Sequence, residues 1–138
     1  KEVKRLISEM PSCTEVKFIE GRYEPSEFFE AAKGLENAPE GGERCLKCFE
    51  LRLNEAAKCA ADIGAEYVCT TLTISPLKNA DNLNRIGEEA AKKYGVKWLP
   101  SDFKKKNGYK RSIELSKEYD LFRQNYCGCV FSKRDSNV

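Results

Sequence analysis

Four of the seven cysteines in this 138-residue chain fall into two close pairs, Cys45/Cys48 and Cys127/Cys129, and these are the residues best suited to chemistry. Cys45 and Cys48 form a Cys-x-x-Cys at the head of a helical pattern. On a helix's first turn that spacing brings both sulfurs to one side, near backbone N–H groups that favour thiolate over thiol, which suits a metal or a redox couple. Arg44 adds a positive neighbour. A thioredoxin-type couple is disfavoured because no strand runs directly into the motif. Two ordinary buried cysteines are disfavoured as well, because the pair follows a Gly-Gly loop.

Cys127 and Cys129 flank Gly128. A disulfide between them closes a very small ring, and forcing its dihedral away from about ±90° makes a strained, easily reduced bond. Gly128 supplies the permissive backbone such a ring needs. Alternatively Cys-x-Cys supplies two metal ligands, which with Cys45 and Cys48 make a four-cysteine site for zinc or an iron-sulfur cluster. The spacing leaves both readings open. Cys13, Cys59 and Cys69 are isolated; Cys59, in an alanine-rich helix, and Cys69, in an apolar strand, read as core residues.

The chain has no histidine, which excludes Ser-His-Asp and Cys-His nucleophile pairs, zinc sites built from two cysteines and two histidines, and the usual neutral-pH general base. The odd cysteine count, without secretory features, argues against a fully paired disulfide framework. A net charge of +2 does not announce a polyanion partner, so any nucleic-acid site must be a local patch. The segment "FKKKNGYKR" offers one: Lys104, Lys105, Lys106, Lys110 and Arg111 surround Tyr109, cations that can hold phosphates and an aromatic ring that can stack on a base. A solvated charged face is the plainer reading. The hydroxyls of Thr70, Thr71, Thr73 and Ser75 lie at the C-terminal end of an expected strand, where open α/β sheets bind ligands.

The elements that must position these groups read as one domain over 1–138. "KEVKRLISEM" has helical spacing but no preceding cap, as though the chain begins inside a helix. "TEVKFIEG" alternates as a strand, and "YEPSEFFEAAKG" is a helix entered at Pro25 and left at Gly34. A long helix spans about Cys45 to Asp62 with Gly64 as its stop, and another spans about Ala80 to Lys93, closed by Gly95. "EYVCTTLT" and "VKWLP" are strands, and "RSIELSKEYD" is a helix running down into Cys127. Strands alternating with helices, without hairpin signals, predict a parallel sheet with helices on its faces. No apolar run approaches the length of a membrane span and no signal-peptide pattern opens the chain, so a soluble cytoplasmic protein is expected.

Taken together, "RCLKCFELRL", "TTLTISPLKN", "SDFKKKNGYKRSIELS" and "YDLFRQNYCGCVFS", in this order and spacing, resemble the QueH family of epoxyqueuosine reductases over nearly the whole chain. The resemblance implies an iron-sulfur oxidoreductase that reduces the epoxide of epoxyqueuosine in tRNA to queuosine. It implies a three-layer α/β fold of the PP-loop or Rossmann-like kind, a parallel sheet with helices on both faces, incomplete here at the N-terminus because the family's first strand with its adjacent cysteines has no counterpart. It also implies that Cys45 and Cys48 are ligands of a [4Fe-4S] cluster, with room for additional iron, and that Cys127 and Cys129 form a redox-active disulfide. The partners implied are a tRNA carrying epoxyqueuosine, met by Lys104, Lys105, Lys106, Tyr109, Lys110, Arg111 and Arg123, and an electron donor that the sequence does not name; no membrane is involved. With histidine absent, the proton for the leaving oxygen comes from Asp102, Tyr126 or a cluster-bound water. The rival readings are a zinc-stapled RNA-binding module without catalysis and an inactive fragment of the enzyme.

Overall fold

The structure, a computed structural model, describes residues 1–136. In chain order the elements are helices α1 (Glu2–Glu9), α2 (Pro25–Ala32) and α3 (Glu43–Asp62), strand β1 (Tyr67–Val68), a 3₁₀ turn (Leu72–Ile74), helix α4 (Ala80–Tyr94), strand β2 (Lys97–Trp98), and helices α5 (Gly108–Glu118) and α6 (Val130–Ser136). The chain divides into two compact units: Pro25–Tyr109, and Lys1–Glu24 together with the segment from Lys110 onward.

In the unit spanning Pro25–Tyr109, α3 and α4 pack against each other and each against the strands. Apolar residues at helical spacing make that contact: Phe49, Leu53, Ala57 and Ala60 from α3 meet Leu83, Ile86, Ala90 and Ala91 from α4, and Val68 of β1 belongs to the same core. Both helices end as their glycines predict. Gly64 and Gly95 each take a φ of 72°, and the amides just beyond them reach back to Ala60 O at 2.9 Å and Ala91 O at 3.0 Å, closing a Schellman motif at each end. Asn79 caps the start of α4 by accepting the Asn82 N–H at 3.0 Å. Gly87 is there for space: a Cβ would fall 2.3 Å from the Trp98 ring, so α4 lies directly on the indole.

The sheet is smaller than expected. β1 and β2 pair in parallel, Tyr67 opposite Lys97 and Val68 opposite Trp98, which bears out the α/β reading at the level of a helical layer on parallel strands. Two paired strands do not make a three-layer Rossmann-like sheet. The expected strand at "TEVKFIEG" is absent: residues 15–24 have no regular structure and expose Val16, Phe18, Ile19 and Tyr23. Alternation prepares a chain for a ladder, but without a partner's hydrogen bonds it makes no strand.

The other unit is held by Arg5 of α1. Its guanidinium donates to Tyr119 O at 2.8 Å and Asp120 O at 2.9 Å, and the same side chain pairs with Glu2, whose carboxylate accepts the Phe122 N–H at 3.0 Å. These contacts explain why α5 stops at Glu118 and does not run down into Cys127. Asp120 takes a left-handed φ of 48°, the Leu121 N–H turns back to Ser116 O at 2.8 Å, and the arginine caps the last carbonyls. α6, which follows the Cys-Gly-Cys, is an element the sequence pattern did not announce.

Candidate functional site

Cys45 and Cys48 lie on the first turn of α3, as expected, and both are half-buried. Cys45 Sγ accepts the Gly41 N–H at 3.2 Å, so the Gly-Gly loop preceding the helix delivers a backbone donor to the first sulfur. Arg44 does something other than the simple charge effect expected of it. It is 2% exposed, and its Nη1 donates to Leu35 O at 3.2 Å, Glu36 O at 3.2 Å and Ala38 O at 2.6 Å. The guanidinium thus gathers the loop between α2 and α3 and holds the stretch of backbone that leads to Gly41. Two thiols on one turn are the donor chemistry that zinc or an iron-sulfur cluster takes, and they fit two of the four ligands such a group needs. Among the described residues, no three His, Cys, Asp or Glu side chains gather into a metal-binding group.

The hydroxyl-rich loop after β1 is largely engaged in the fold. Thr73 is fully buried; its Oγ1 accepts the Phe103 N–H at 3.2 Å and lies 3.3 Å from Ser101 Oγ. Because the Ser101 hydroxyl donates to Thr70 O at 3.1 Å, the Thr73 hydroxyl is the donor to Ser101. Asn84 of α4 closes the network, accepting the Trp98 Nε1–H at 3.0 Å and the Ser101 N–H at 3.1 Å while donating to Ser101 O at 2.9 Å. Lys104 belongs to the same network: its ammonium donates to Asp102 at 3.1 Å, to Thr73 O at 3.0 Å and to Lys78 O at 3.3 Å, occupying all three of its protons. Lys104 in turn, through its ammonium above all and its backbone N–H, holds the Asp102 carboxyl below its ordinary range. The two loops at the C-terminal ends of the strands are therefore one hydrogen-bonded platform, with Thr71 at its exposed surface.

The remaining cations divide by what they touch. Lys105, Lys106 and Lys110 are exposed, as is Tyr109. Arg111 pairs with Glu114 at 3.3 Å and Glu118 at 3.8 Å, and Arg123 donates to Ser112 O at 3.3 Å and Ser116 Oγ at 2.9 Å. Lys106 and Asn107 both take left-handed φ values, 54° and 61°, before Gly108 opens α5 so close to Phe103 O that a Cβ would lie 1.7 Å from it. That tight turn fixes the backbone that carries Lys105 and Lys106.

Cys127 and Cys129 lie in the other unit, half-buried, on a turn centred at Gly128 with φ 98°. They carry no disulfide in this structure, nor do the other five cysteines. The Cys127 N–H donates to Ser132 Oγ at 3.1 Å, and the Ser132 N–H donates to Cys129 Sγ at 3.3 Å. Tyr126 precedes the turn, with Lys133 Nζ 5.9 Å from its ring centroid. Cys59 and Cys69, read as core, are half-buried rather than enclosed, and Cys13 is exposed. Sequence reasoning missed Asn84, Ser101, Ser132 and Arg5, each of which acts on a residue distant in sequence or on backbone atoms, where no residue-type pattern exists to find it.

The family model described as epoxyqueuosine reductase QueH matches residues 1–135. An epoxyqueuosine reductase QueH of Streptococcus pyogenes serotype M1 is 47% identical over 123 residues, 89% of this chain and 48% of that protein. The one from Staphylococcus epidermidis is 52% identical over 125 residues, 89% of this chain and 52% of its own length. A more distant one, from Thermotoga maritima, is 40% identical over 115 residues, 81% of this chain and 60% of its own length. The chain spans about half the length of the first two relatives.

Proposed function

The chain belongs to the QueH family of epoxyqueuosine reductases, and from that premise we propose that it reduces the epoxide of epoxyqueuosine in tRNA to the alkene of queuosine. Both C–O bonds of the epoxide break, a C=C bond forms, and the oxygen leaves as water. That change takes two electrons and two protons. The Cys127/Cys129 pair gives up both when its two S–H bonds are exchanged for one S–S bond, and an electron donor then restores the dithiol. The observation that carries the reading is this pair, standing as two thiols on a glycine-centred turn within a chain of this family.

In this reading Cys45 and Cys48 would supply two of the ligands of a [4Fe-4S] cluster, with room for additional iron. Such a cluster supplies one-electron transfer and a Lewis-acidic iron when bound. The chain's own residues do the rest. Asp102, kept as a carboxylate by Lys104, does not serve as the acid for the leaving oxygen at neutral pH. Tyr126, next to the dithiol in sequence, is the relay the chain offers, passing a proton to the leaving oxygen and regaining it from the dithiol, so that the two S–H bonds remain the source of both protons. Lys105, Lys106 and Lys110 supply the phosphate contacts and Tyr109 a stacking face, while Lys104, Arg111 and Arg123 act first through their local partners. A cytoplasmic location accompanies a tRNA substrate.

The test is a single turnover. The chain is assembled anaerobically with iron and sulfide, its thiols are reduced, excess reductant is removed, and tRNA carrying epoxyqueuosine is added. Nucleoside mass spectrometry is expected to find queuosine with the wild-type chain and none with Cys129→Ser. Full single-turnover conversion by Cys129→Ser would show that the electrons come from elsewhere, and a chain that takes up zinc and no iron would favour the RNA-binding module.

A further inference from the structure

The Cys-Gly-Cys turn is closed by a residue that the reductase reading leaves without a role. Cys129 sits where a helix N-cap sits: its carbonyl accepts the Lys133 N–H at 3.1 Å, and its Sγ takes the Ser132 N–H at 3.3 Å, the contact that a serine or aspartate side chain usually makes there. Ser132 answers in the other direction. Its hydroxyl accepts the Cys127 N–H at 3.1 Å, reaching across Gly128 to the far side of the turn. Both ends of the Cys-Gly-Cys are thus tied to one side chain and one amide of a residue that is 5% exposed. Gly128 is required for its backbone angle and not for space, since a Cβ there would meet only Gln124 Nε2 at 3.8 Å. The turn therefore rests on a glycine that permits it and a buried serine that holds it.

We propose that Ser132 is the positioning residue of the Cys127/Cys129 couple, holding the turn in its dithiol geometry and so favouring the reduced pair. This rests on the reading of that pair as the redox couple. Closing the ring draws Cys129 Sγ toward Cys127 and makes it a sulfur bonded to sulfur, a weaker acceptor for the Ser132 N–H. It also tightens the backbone at Cys127, whose N–H the Ser132 hydroxyl holds. Both contacts are stronger in the dithiol than in the disulfide, so they oppose oxidation and assist reduction of the disulfide after each turnover. Ser132 touches no substrate in this role.

The test needs no tRNA and no cluster. The full chain is equilibrated with mixtures of reduced and oxidised glutathione, in which the pair loses two hydrogens as one glutathione disulfide becomes two thiols. Remaining thiols are alkylated and the chain is digested with trypsin; the peptide 124–133 contains Cys127 and Cys129 and no other cysteine. In Ser132→Ala, loss of the hydroxyl is expected to raise the equilibrium constant for disulfide formation about fivefold, the fold-change of one net hydrogen bond. Ser132→Thr keeps a hydroxyl and is expected to restore the wild-type value. An unchanged constant in Ser132→Ala, or an equal rise in Ser132→Thr, overturns the proposal. Amide hydrogen exchange on the wild-type chain tests it without any variant: the Cys127 and Ser132 amides are expected to exchange more slowly in the dithiol than in the disulfide form, and equal rates overturn it. A Ser132-dependent equilibrium together with epoxide conversion that does not need Cys129 leaves the clamp standing and removes the reductase role of the pair. A peptide that never oxidises removes both.

Discussion

The two cysteine pairs use the same residue type on opposite kinds of support. Cys45 and Cys48 begin a 20-residue helix whose apolar face builds the core, and the loop before them is pinned by a buried arginine on three carbonyls. Cys127 and Cys129 lie between the end of α5 and the short α6, on a glycine turn held by Ser132, and the arginine nearest them in sequence, Arg123, is exposed. A metal ligand works by staying where it is, and a dithiol works by changing its bonding. The difference in support is what the proposed division of labour, iron ligands in one pair and a redox couple in the other, would call for.

The comparison breaks most readily at the two arginines. Arg44→Met strands three carbonyls and removes a buried guanidinium, and is expected to cost about 3 kcal/mol in urea unfolding. Arg123→Met, at an exposed site, is expected to cost less than about 1 kcal/mol. Equal costs would mean that the two pairs are supported alike.

Lys104 sharpens the comparison, since it looks like a member of the basic surface yet is bound as Arg44 is, to backbone carbonyls of a neighbouring loop. Lys104→Ala is expected to lower stability by about 1 kcal/mol and to leave the salt dependence of tRNA binding nearly unchanged. Replacing Lys105 and Lys106 by alanine is expected to do the reverse, leaving stability alone and flattening the plot of log affinity against log salt by up to about two contacts' worth.

The smallest effect is expected in acid, and it falls on both units. Asp102 in one is lowered by its bonds from Lys104, and Glu2 in the other by the Phe122 N–H and then by Arg5. A carboxyl lowered in the folded state contributes stability that is complete above its ordinary value, 3.8 for Asp102 and 4.5 for Glu2, and is lost as pH falls through the lowered one. Urea midpoints are therefore expected to fall below about pH 4.5, and Asp102→Asn and Glu2→Gln each to flatten part of that decline.

Much of this arrangement was legible in the sequence where the cause is local. The helices α3 and α4 were readable because apolar spacing, a first-turn cap or motif and a stopping glycine all agree. "TEVKFIEG" misled because alternation describes one chain and a strand requires two. α5 ends sooner than its sequence pattern suggests because its stop depends on Asp120 in a left-handed conformation and on Arg5 from far along the chain. At the site, the cysteines were visible as residue types at short spacing, whereas their holders were not. Ser132 looks like any helix serine, and Lys104 like any surface lysine, until the acceptors of each are known.

The central claim is that Cys45 and Cys48 bind iron while Cys127 and Cys129 carry electrons. It is tested most directly by the iron content and visible absorption of two double variants after anaerobic assembly with iron and sulfide. The account predicts that Cys45→Ser with Cys48→Ser loses the iron and the colour that the unmodified chain takes up, and that Cys127→Ser with Cys129→Ser retains both. Equal loss in the two variants would contradict it, making all four cysteines ligands of one site.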